Sequence, residues 1–389
     1  MSAFTVPTTL LPYGRQWLDE DDVAAVTRVL RSDWLTTGPI VDEFERAFAD
    51  FTGTAHAVAV CNGTAALHAA TAAIGVGPGD EVIVPAITFV ATANAVLYQG
   101  ATPRFADVDP DTLLIDPADV ERRITPRTKA ILAVDYAGQP CDYERLRDLA
   151  RRNNLALLAD ACHALGGTVQ GRPVGGLVDL STFSLHPVKP ITAGEGGVIT
   201  TNDTRLAQAM RIFRNHGISS DFRQRERQGS WAYEMVSLGY NYRLSDIHCA
   251  LALSQLAKLP AWVTRRQAIA RRYDAAFSGE SAFRPLVVRA GVSHAYHLYV
   301  IRLRGGIDRG AFFQALRAEG IGANVHYAPV HLHPYYREHL GGAHGLCPEA
   351  ERAASRIITL PLFPRMNDDD VEKVISATLK VAQRFDGNP

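Results

Sequence analysis

Apolar residues divide the first two-thirds of the chain into short apolar runs and longer segments with helical periodicity. The apolar runs predict strands at residues 56–61, 81–85, 102–107, 129–135, 155–160, 181–185 and 197–202. The segments between them predict helices at residues 65–75, 89–100, 118–124 and 143–154. Alternating strands and helices favour an α/β fold, with a mainly parallel sheet covered by helices on both faces.

The pattern changes in the last third of the chain. A long helical segment runs from about Ser245 to Phe277. Beyond it we predict strands at residues 295–303 and 357–363, and helices at residues 309–320 and 368–385. We therefore predict a large domain over residues 1–275, including an N-terminal arm and the long linking helix, and a smaller α+β domain over residues 276–389.

Composition and charge narrow the function class. The 389 residues include 40 lysines and arginines against 41 aspartates and glutamates, a balance that argues against a nucleic-acid-binding protein. The five cysteines are widely spaced, which predicts reduced thiols in a cytoplasmic protein and no disulfide framework. We expect no signal peptide and no membrane association, because the N-terminus lacks a basic segment followed by an apolar one and no apolar run approaches about 18 residues.

Polar residues follow several of the predicted strands. Asn62, Asp135, Asp160 and segment 184–189 are expected in one pocket, because open α/β sheets bind ligands at the carboxyl ends of their strands. The stretch CNGTAALH (61–68) predicts a strand end, a turn and a helix start. Helix N-termini suit phosphate, Gly63 permits close approach, and Thr64 adds a hydroxyl. An ordinary helix cap without a ligand explains the same residues.

Asp160 and His163 follow a strand in LLADACHALGG (157–167). A carboxylate at the end of an apolar strand requires a cationic partner, although a helix-capping role is the alternative. His163 alone favours a structural or stacking role, because no second ligand stands at metal-binding spacing. We predict no metal site here, nor at His331 and His333.

Lys189 lies in SLHPVKPITAGEGG (184–197), where Pro187 and Pro190 restrict the backbone on both sides. Such rigidity suits a lysine whose amine must be held at one point, as in Schiff-base catalysis. Burial and cationic neighbours can lower its pKa so that it attacks a carbonyl. A phosphate anchor, an acid for a ring nitrogen and an amine for an aldehyde together match the requirements of pyridoxal 5'-phosphate.

At this point the sequence resembles the nucleotide-sugar aminotransferases of the aspartate aminotransferase superfamily. The resemblance rests on PYGRQWLDEDDVAAV (12–26), SDWLTTGP (32–39), CNGTAALH, PAITFVATANAVLYQGATPRFADVD (85–109), DYAGQP (135–140), DACHALGG (160–167), FSLHPVKPITAGEGGVITTND (183–203), LGYNYRLSDIHCALALSQL (238–256) and VHYAPVHLHPYY (325–336). It implies the pyridoxal-phosphate-dependent transferase fold of type I, with a mostly parallel seven-stranded sheet in the large domain.

The resemblance also implies roles for individual residues. Lys189 would bond to the cofactor aldehyde and later shuttle a proton, while Asp160 would pair with the ring nitrogen and His163 would lie near the ring. The remaining cofactor contacts would be the phosphate ligands Thr64, Ala65 and Ser184, the stacking ring of Phe89, and Asn241 of the neighbouring subunit. The protein would then be a homodimer with composite active sites.

Within the family, the motifs look most like the transaminase of the pseudaminic acid pathway. That resemblance implies amination, with L-glutamate as donor, at C4 of a UDP-linked 2-acetamido-2,6-dideoxy-4-keto-hexose. The implied substrate contacts are Tyr13, Asp33, Trp34, Leu35, Thr36, His326 and Tyr327. Arg15 and Trp17 suit diphosphate and uracil, although an N-terminal arm packed on the surface explains them equally.

Other readings stay open beside this one. The protein could aminate a different 4-keto or 3-keto nucleotide sugar, or bind the cofactor as a non-catalytic regulator. Lys189 argues against the relatives that carry histidine at that position and perform dehydration. An NAD-dependent oxidoreductase would require Gly-x-Gly-x-x-Gly after the first strand, which CNGTAAL does not match.

Overall fold

A computed structural model describes residues 10–220, 222–227 and 229–385. The ends of both predicted domains, residues 1–9 and 386–389, lie outside the described residues. The helices of the described residues are α1 Glu20–Leu30, α2 Pro39–Thr52, α3 Gly63–Ala73, α4 Val90–Tyr98, α5 Pro117–Arg123, α6 Tyr143–Arg152, α7 Thr204–Phe213, α8 Phe222–Arg227, α9 Asp246–Ala276, α10 Arg309–Ala318, α11 Pro334–Leu340, α12 Pro348–Ala354 and α13 Asp368–Gln383.

The strands of the same residues form one large sheet and several small ones. They are β1 Leu11–Pro12, β2 His56–Val60, β3 Glu81–Pro85, β4 Thr102–Ala106, β5 Thr128–Val134, β6 Ala156–Asp160, β7 Thr168–Val169, β8 Arg172–Pro173, β9 Leu180–Ser184, β10 Gly197–Thr201, β11 Phe283–Pro285, β12 Val292–Ser293, β13 Tyr299–Leu303, β14 Ile321–Gly322 and β15 Ile357–Leu360.

The large sheet confirms the predicted α/β fold of type I. Its seven strands stand in the order β2-β10-β9-β6-β5-β3-β4. All neighbours are parallel except β10, which runs antiparallel to both β2 and β9. The carboxyl ends of β2 and β9 therefore meet the start of β10, at Gly197. A Cβ on Gly197 would lie 2.3 Å from the Asn62 carbonyl oxygen, so only glycine fits at this junction.

The helix α3 packs against the sheet through small residues. It reads GTAALHAATAA, and residues from Ala65 to Thr71 are all buried. Alanine favours the helix and lets its backbone approach the strands closely. The N-terminus of α3 is thereby held beside the end of β9, where the predicted site lies.

Two hydrophobic cores share the long helix α9. Cys249, Leu259 and Trp262 pack in the core of the large sheet, whereas Ile269 and Tyr273 pack in a second core with β13, β15, α10 and α13. The division at residues 275 and 276 stays a prediction. Segment 330–357 also packs against the first core, through side chains such as Val330 and Ile357. Within the described ranges, we find no helix with the length and apolarity that a membrane span requires.

Candidate active site

The carboxyl ends of β2, β5, β6 and β9 bring the polar strand-end residues together. Asp160 is the last residue of β6 and Ser184 is the last residue of β9. Asp135 directly follows β5, and its backbone N–H donates to the Asp160 carbonyl at 3.0 Å. Ligand sites of open α/β sheets lie at this edge, where the predicted chemistry is expected.

A phosphate-sized cradle forms where α3 begins. The Asn62 side chain accepts a hydrogen bond from the Ala65 backbone N–H at 2.8 Å, which caps the helix. The first amides of a helix have no intrahelical partner, and the dipole there favours an anion. A Cβ on Gly63 would lie 2.8 Å from the Ser184 Cβ, so glycine is required for Ser184 to approach. The backbone N–H of Ala65 already donates to the Asn62 side chain. A phosphate that binds Ala65, as predicted, would therefore compete with Asn62 for this N–H.

Asp160 is a buried carboxylate, 6% exposed, held by two donors. The Thr92 hydroxyl donates to its Oδ2 at 2.7 Å, and the Cys162 backbone N–H donates to its Oδ1 at 3.3 Å. Thr92 is fully buried and was not predicted from the sequence. Nothing in the FVATANAV stretch distinguishes this threonine from any other helix residue, because its partner lies 68 positions away.

Lys189 follows β9 on a turn in which its backbone N–H donates to the His186 carbonyl at 2.9 Å. Burial lowers the pKa of Lys189, while Cys162 and Asp160 oppose that shift. In the described part of the chain no ion pair joins Lys189 to Asp160, although the two interact electrostatically. A lowered pKa raises the fraction of neutral amine, which is the nucleophilic form.

Neutral histidines surround the amine. Burial and then the charge of Lys189 hold the pKa of His163 well below its usual value, and the same two causes lower the pKa of His326 to about 4. The His163 ring lies 4.4 Å from the His297 ring between centroids, and its Nε2 contacts the Tyr327 hydroxyl at 3.2 Å. The buried Nδ1 atoms of His163 and His297 have no partner. His297 was not predicted from the sequence.

An exposed aromatic ring stands at the same edge. Phe89 precedes α4 and is 57% exposed, which is unusual for a phenylalanine. Its ring centroid lies 6.1 Å from that of Tyr327. Tyr13 extends this aromatic wall, because its ring lies 5.0 Å from the ring of His326.

These residues fit pyridoxal phosphate. Two observations concern the phosphate and the ring nitrogen: Gly63 lets Ser184 approach the start of α3, and Asp160 accepts from Thr92 but forms no direct ion pair with Lys189. Two more concern the cofactor ring: Nδ1 of His163 has no partner, and the ring of Phe89 is exposed. The cradle would hold the phosphate, Asp160 would hold the ring nitrogen, and Lys189 would bond to the aldehyde. The individual roles stay predictions.

Other predicted residues lie apart from this cluster. The Leu35 carbonyl accepts from the Asp246 N–H at 3.1 Å, and Thr36 pairs with Ser245, so segment 33–36 lies at the start of α9. Asn241 is exposed and pairs with Asn215. Among the described residues, no hydrogen bond, ion pair or ring contact joins Asp33, Trp34, Leu35, Thr36 or Asn241 to Lys189.

Trp17 supports the packed-arm alternative that the sequence left open. Its ring stacks on Trp262 of α9, with centroids 5.9 Å apart and planes 17° from parallel. The exposed fraction of Trp17 is still 37%, and the neighbouring Arg15 is exposed.

Comparison with known proteins gives one consistent result. The model of the DegT/DnrJ/EryC1/StrS aminotransferase family matches residues 16–379. The spore coat polysaccharide biosynthesis protein SpsC of Bacillus subtilis is 41% identical over 381 residues, which is 97% of this chain and 98% of that protein.

Two solved structures are similar over almost their whole length. The putative sugar aminotransferase Spr1654 from Streptococcus pneumoniae, in its PMP form, is 34% identical with a TM-score of 0.91, covering 96% of this chain and 99% of that one. Helicobacter pylori PseC, an aminotransferase in the biosynthesis of pseudaminic acid, is 35% identical with a TM-score of 0.91, covering 97% of this chain and 100% of that one.

Proposed function

This chain belongs to the DegT/DnrJ/EryC1/StrS aminotransferase family, and on that premise we propose that it aminates C4 of a UDP-linked 4-keto-6-deoxy-N-acetylhexosamine. It is a pyridoxal-phosphate-dependent sugar aminotransferase. The finer proposal names L-glutamate as the donor and the pseudaminic acid precursor pathway as the setting. Its main support is the similarity to PseC over the whole chain.

The observation that carries the chemistry is the position of Lys189 near Asp160 without an ion pair between them. When bound, pyridoxal phosphate supplies an aldehyde that receives the amino group and a ring that withdraws electrons from the reacting carbon. Asp160 would pair with the ring nitrogen and keep it protonated. Thr92 and the Cys162 N–H keep that carboxylate in one orientation by donating to its two oxygens.

Lys189 Nζ would act as the base that removes a proton from the amino-bearing carbon of the donor, and in the second half-reaction it would deliver a proton to C4 of the sugar. Burial lowers its pKa and so raises the fraction of neutral amine, the form that a general base requires. His163, His297 and His326 line this space as neutral imidazoles, since burial lowers the pKa of each. They therefore add no positive charge that would compete with Lys189 for Asp160.

Tyr13, His326 and Tyr327 form the wall on which we propose that the sugar rests. Phe89 offers its exposed ring to the cofactor by stacking. These apolar and aromatic surfaces exclude water from the reacting carbon, and exclusion of water strengthens the electrostatic contacts inside the site.

We propose a homodimer with composite sites. The stretch from Trp231 to Leu238 is highly exposed and apolar: Trp231 is 89%, Met235 65% and Leu238 76% exposed. Contiguous apolar surface of this kind is typical of a protein interface. Asn241 pairs with Asn215 close to the bridge between Ile218 and Met235 of that stretch, and is free of the Lys189 cluster, which suits a residue that completes a neighbour's site.

The substrate assay compares several 4-keto nucleotide sugars with L-glutamate as donor, and detects the amino sugar by mass spectrometry. We expect the UDP-linked 4-keto N-acetylhexosamine of L-arabino configuration to react fastest, and Lys189→Ala to be inactive. Equal rates on all sugars would contradict the specific substrate, and no amination of any sugar would contradict the function. Persistence of the cofactor's visible band after glutamate addition would exclude glutamate.

A subunit-mixing assay tests the composite site. Lys189→Ala and Asn241→Ala are each expected to be inactive as homodimers. A dimer containing one of each has one intact site, so mixing restores about a quarter of the native activity after random pairing. No restoration would place Asn241 in the site of its own subunit, or outside the site.

A different 4-keto or 3-keto nucleotide sugar is the second candidate. It is favoured by SpsC, which is more similar to this chain, at 41% identity, than PseC is, at 35%. The same substrate panel distinguishes the two candidates. The five free cysteines and a nucleotide-sugar substrate support the further proposal that the enzyme works in the cytoplasm.

A further inference from the structure

Arg266, in the middle of α9, is a buried cation without an acidic partner. It is 2% exposed, and its Nη1 donates to the carbonyls of Tyr296 at 3.2 Å and Leu362 at 2.9 Å. Its Nε is buried and has no partner. Within the described ranges, no carboxylate lies at ion-pair distance from this guanidinium.

Some other buried charges of the protein have partners of opposite charge. Glu45 pairs with Arg211 and Arg214, and Asp22 pairs with Lys258. An unpaired charge in a protein interior is costly, because backbone carbonyls return only part of the lost hydration. Burial lowers the pKa of Arg266 to about 10, so the side chain is still cationic at neutral pH.

A small cavity adjoins Arg266. Its volume is about 10 Å³, close to what one water molecule needs. Arg15 and Lys189 also line it, together with Thr192, Trp17 and Trp262. None of the lining residues is acidic. Two acids interact with lining residues: Asp22 bonds to Gln255 and is already paired with Lys258, and Asp160 interacts electrostatically with Lys189.

We propose that this cavity holds one small monovalent anion, a halide such as chloride, against the guanidinium of Arg266. Two arginines, Arg15 and Arg266, and no acid line the space, so its potential is positive. The volume accommodates a monatomic ion. A water molecule would satisfy the unpaired Nε but would leave the charge of Arg266 uncompensated. A halide accepts from the Nε and also compensates the charge of Arg266.

The stacked pair of Trp17 and Trp262 gives the site its own optical probe, because bromide quenches the fluorescence of an indole that it contacts. The holoenzyme is titrated with bromide at constant ionic strength in a halide-free buffer. We expect a saturating loss of tryptophan fluorescence above the linear quenching of the remaining tryptophans. Chloride should reverse this loss, and the melting temperature should rise with halide concentration.

Arg266→Met should abolish the saturating component and leave only the linear one. The matched control is Arg265→Met, because Arg265 is the neighbouring arginine on α9 but bonds to the Met366 carbonyl and Asp368 at the surface. It should keep the saturating component. Purely linear quenching of the native protein, or a saturating loss that persists in Arg266→Met, would overturn the proposal.

Crystals of the native protein soaked in bromide provide a second test that needs no variant to fold. The expected result is an anomalous peak in the cavity beside Arg266. A water molecule there, without anomalous signal, would overturn the proposal.

Discussion

Replacing Gly63 by alanine tests whether the start of α3 and the end of β9 form one phosphate cradle. The new Cβ would lie 2.8 Å from the Ser184 Cβ, where ordinary contacts begin at 3.4 Å. Neither atom belongs to a flexible side-chain end. The strand end that carries Ser184, and leads to Lys189, must therefore move away from α3.

The cost of this substitution follows from packing. Overfilling a well-packed site costs about 1–3 kcal/mol. Alanine recovers up to about 1 kcal/mol over glycine in a helix, so global stability should change little. The clash displaces Ser184 from the proposed phosphate cradle. If the cofactor loses about 1–3 kcal/mol of binding free energy as a result, its affinity falls roughly 5- to 150-fold.

The assay titrates cofactor-free protein with pyridoxal phosphate and follows the visible absorption band. The matched control is Gly77→Ala, because Gly77 lies in open space and its φ is not positive. The control should bind as the native protein does. The reasoning would be refuted if Gly63→Ala bound the cofactor within about twofold of the native affinity, or if both variants lost affinity equally.

Two further predictions concern buried acids. Burial raises the pKa of Asp135 to about 7 from an ordinary value near 3.8, so its neutral form stabilises the fold at low pH and this contribution is lost as pH rises through 7. The stability difference between the native protein and Asp135→Asn should therefore fall between about pH 4 and pH 8, by at most about 4 kcal/mol, in urea denaturation; a difference independent of pH would contradict the assigned charge state. Thr92→Val removes the hydroxyl that donates to Asp160 and that also bonds to the Thr88 hydroxyl, and should cost about 1.5–3 kcal/mol of unfolding free energy, because a carboxylate loses its donor. Thr378→Val, which loses a bond to a backbone carbonyl, should cost only about 1 kcal/mol, and equal losses for the two variants would count against an ionised Asp160.

The sheet could be predicted because its strands are continuous apolar runs. All seven predicted strands of the large domain occur in the large sheet. The antiparallel direction of β10 could not be predicted, since its residues are as apolar as those of a parallel strand. Gly197 could have indicated that β10 begins at a close backbone contact. The reason for this glycine is the Asn62 carbonyl, which is far away in sequence.

The strand-end residues of the site were predictable for the same reason, because each follows its own apolar run. The residues that hold them were not. Thr92 acts on Asp160 from the interior of α4, and His297 lies against His163 from a segment that follows the long helix. Neither contact joins residues that are close in sequence, so no local sequence pattern indicates it and only the folded structure reveals it.

Covalent attachment to Lys189 tests the central claim most directly. The holoenzyme is reduced with borohydride and digested, and the modified peptide is identified by mass spectrometry. The account predicts a single pyridoxyl group on Lys189 and none in Lys189→Ala. A label on another lysine, such as Lys129 or Lys258, with Lys189 unmodified, would contradict it.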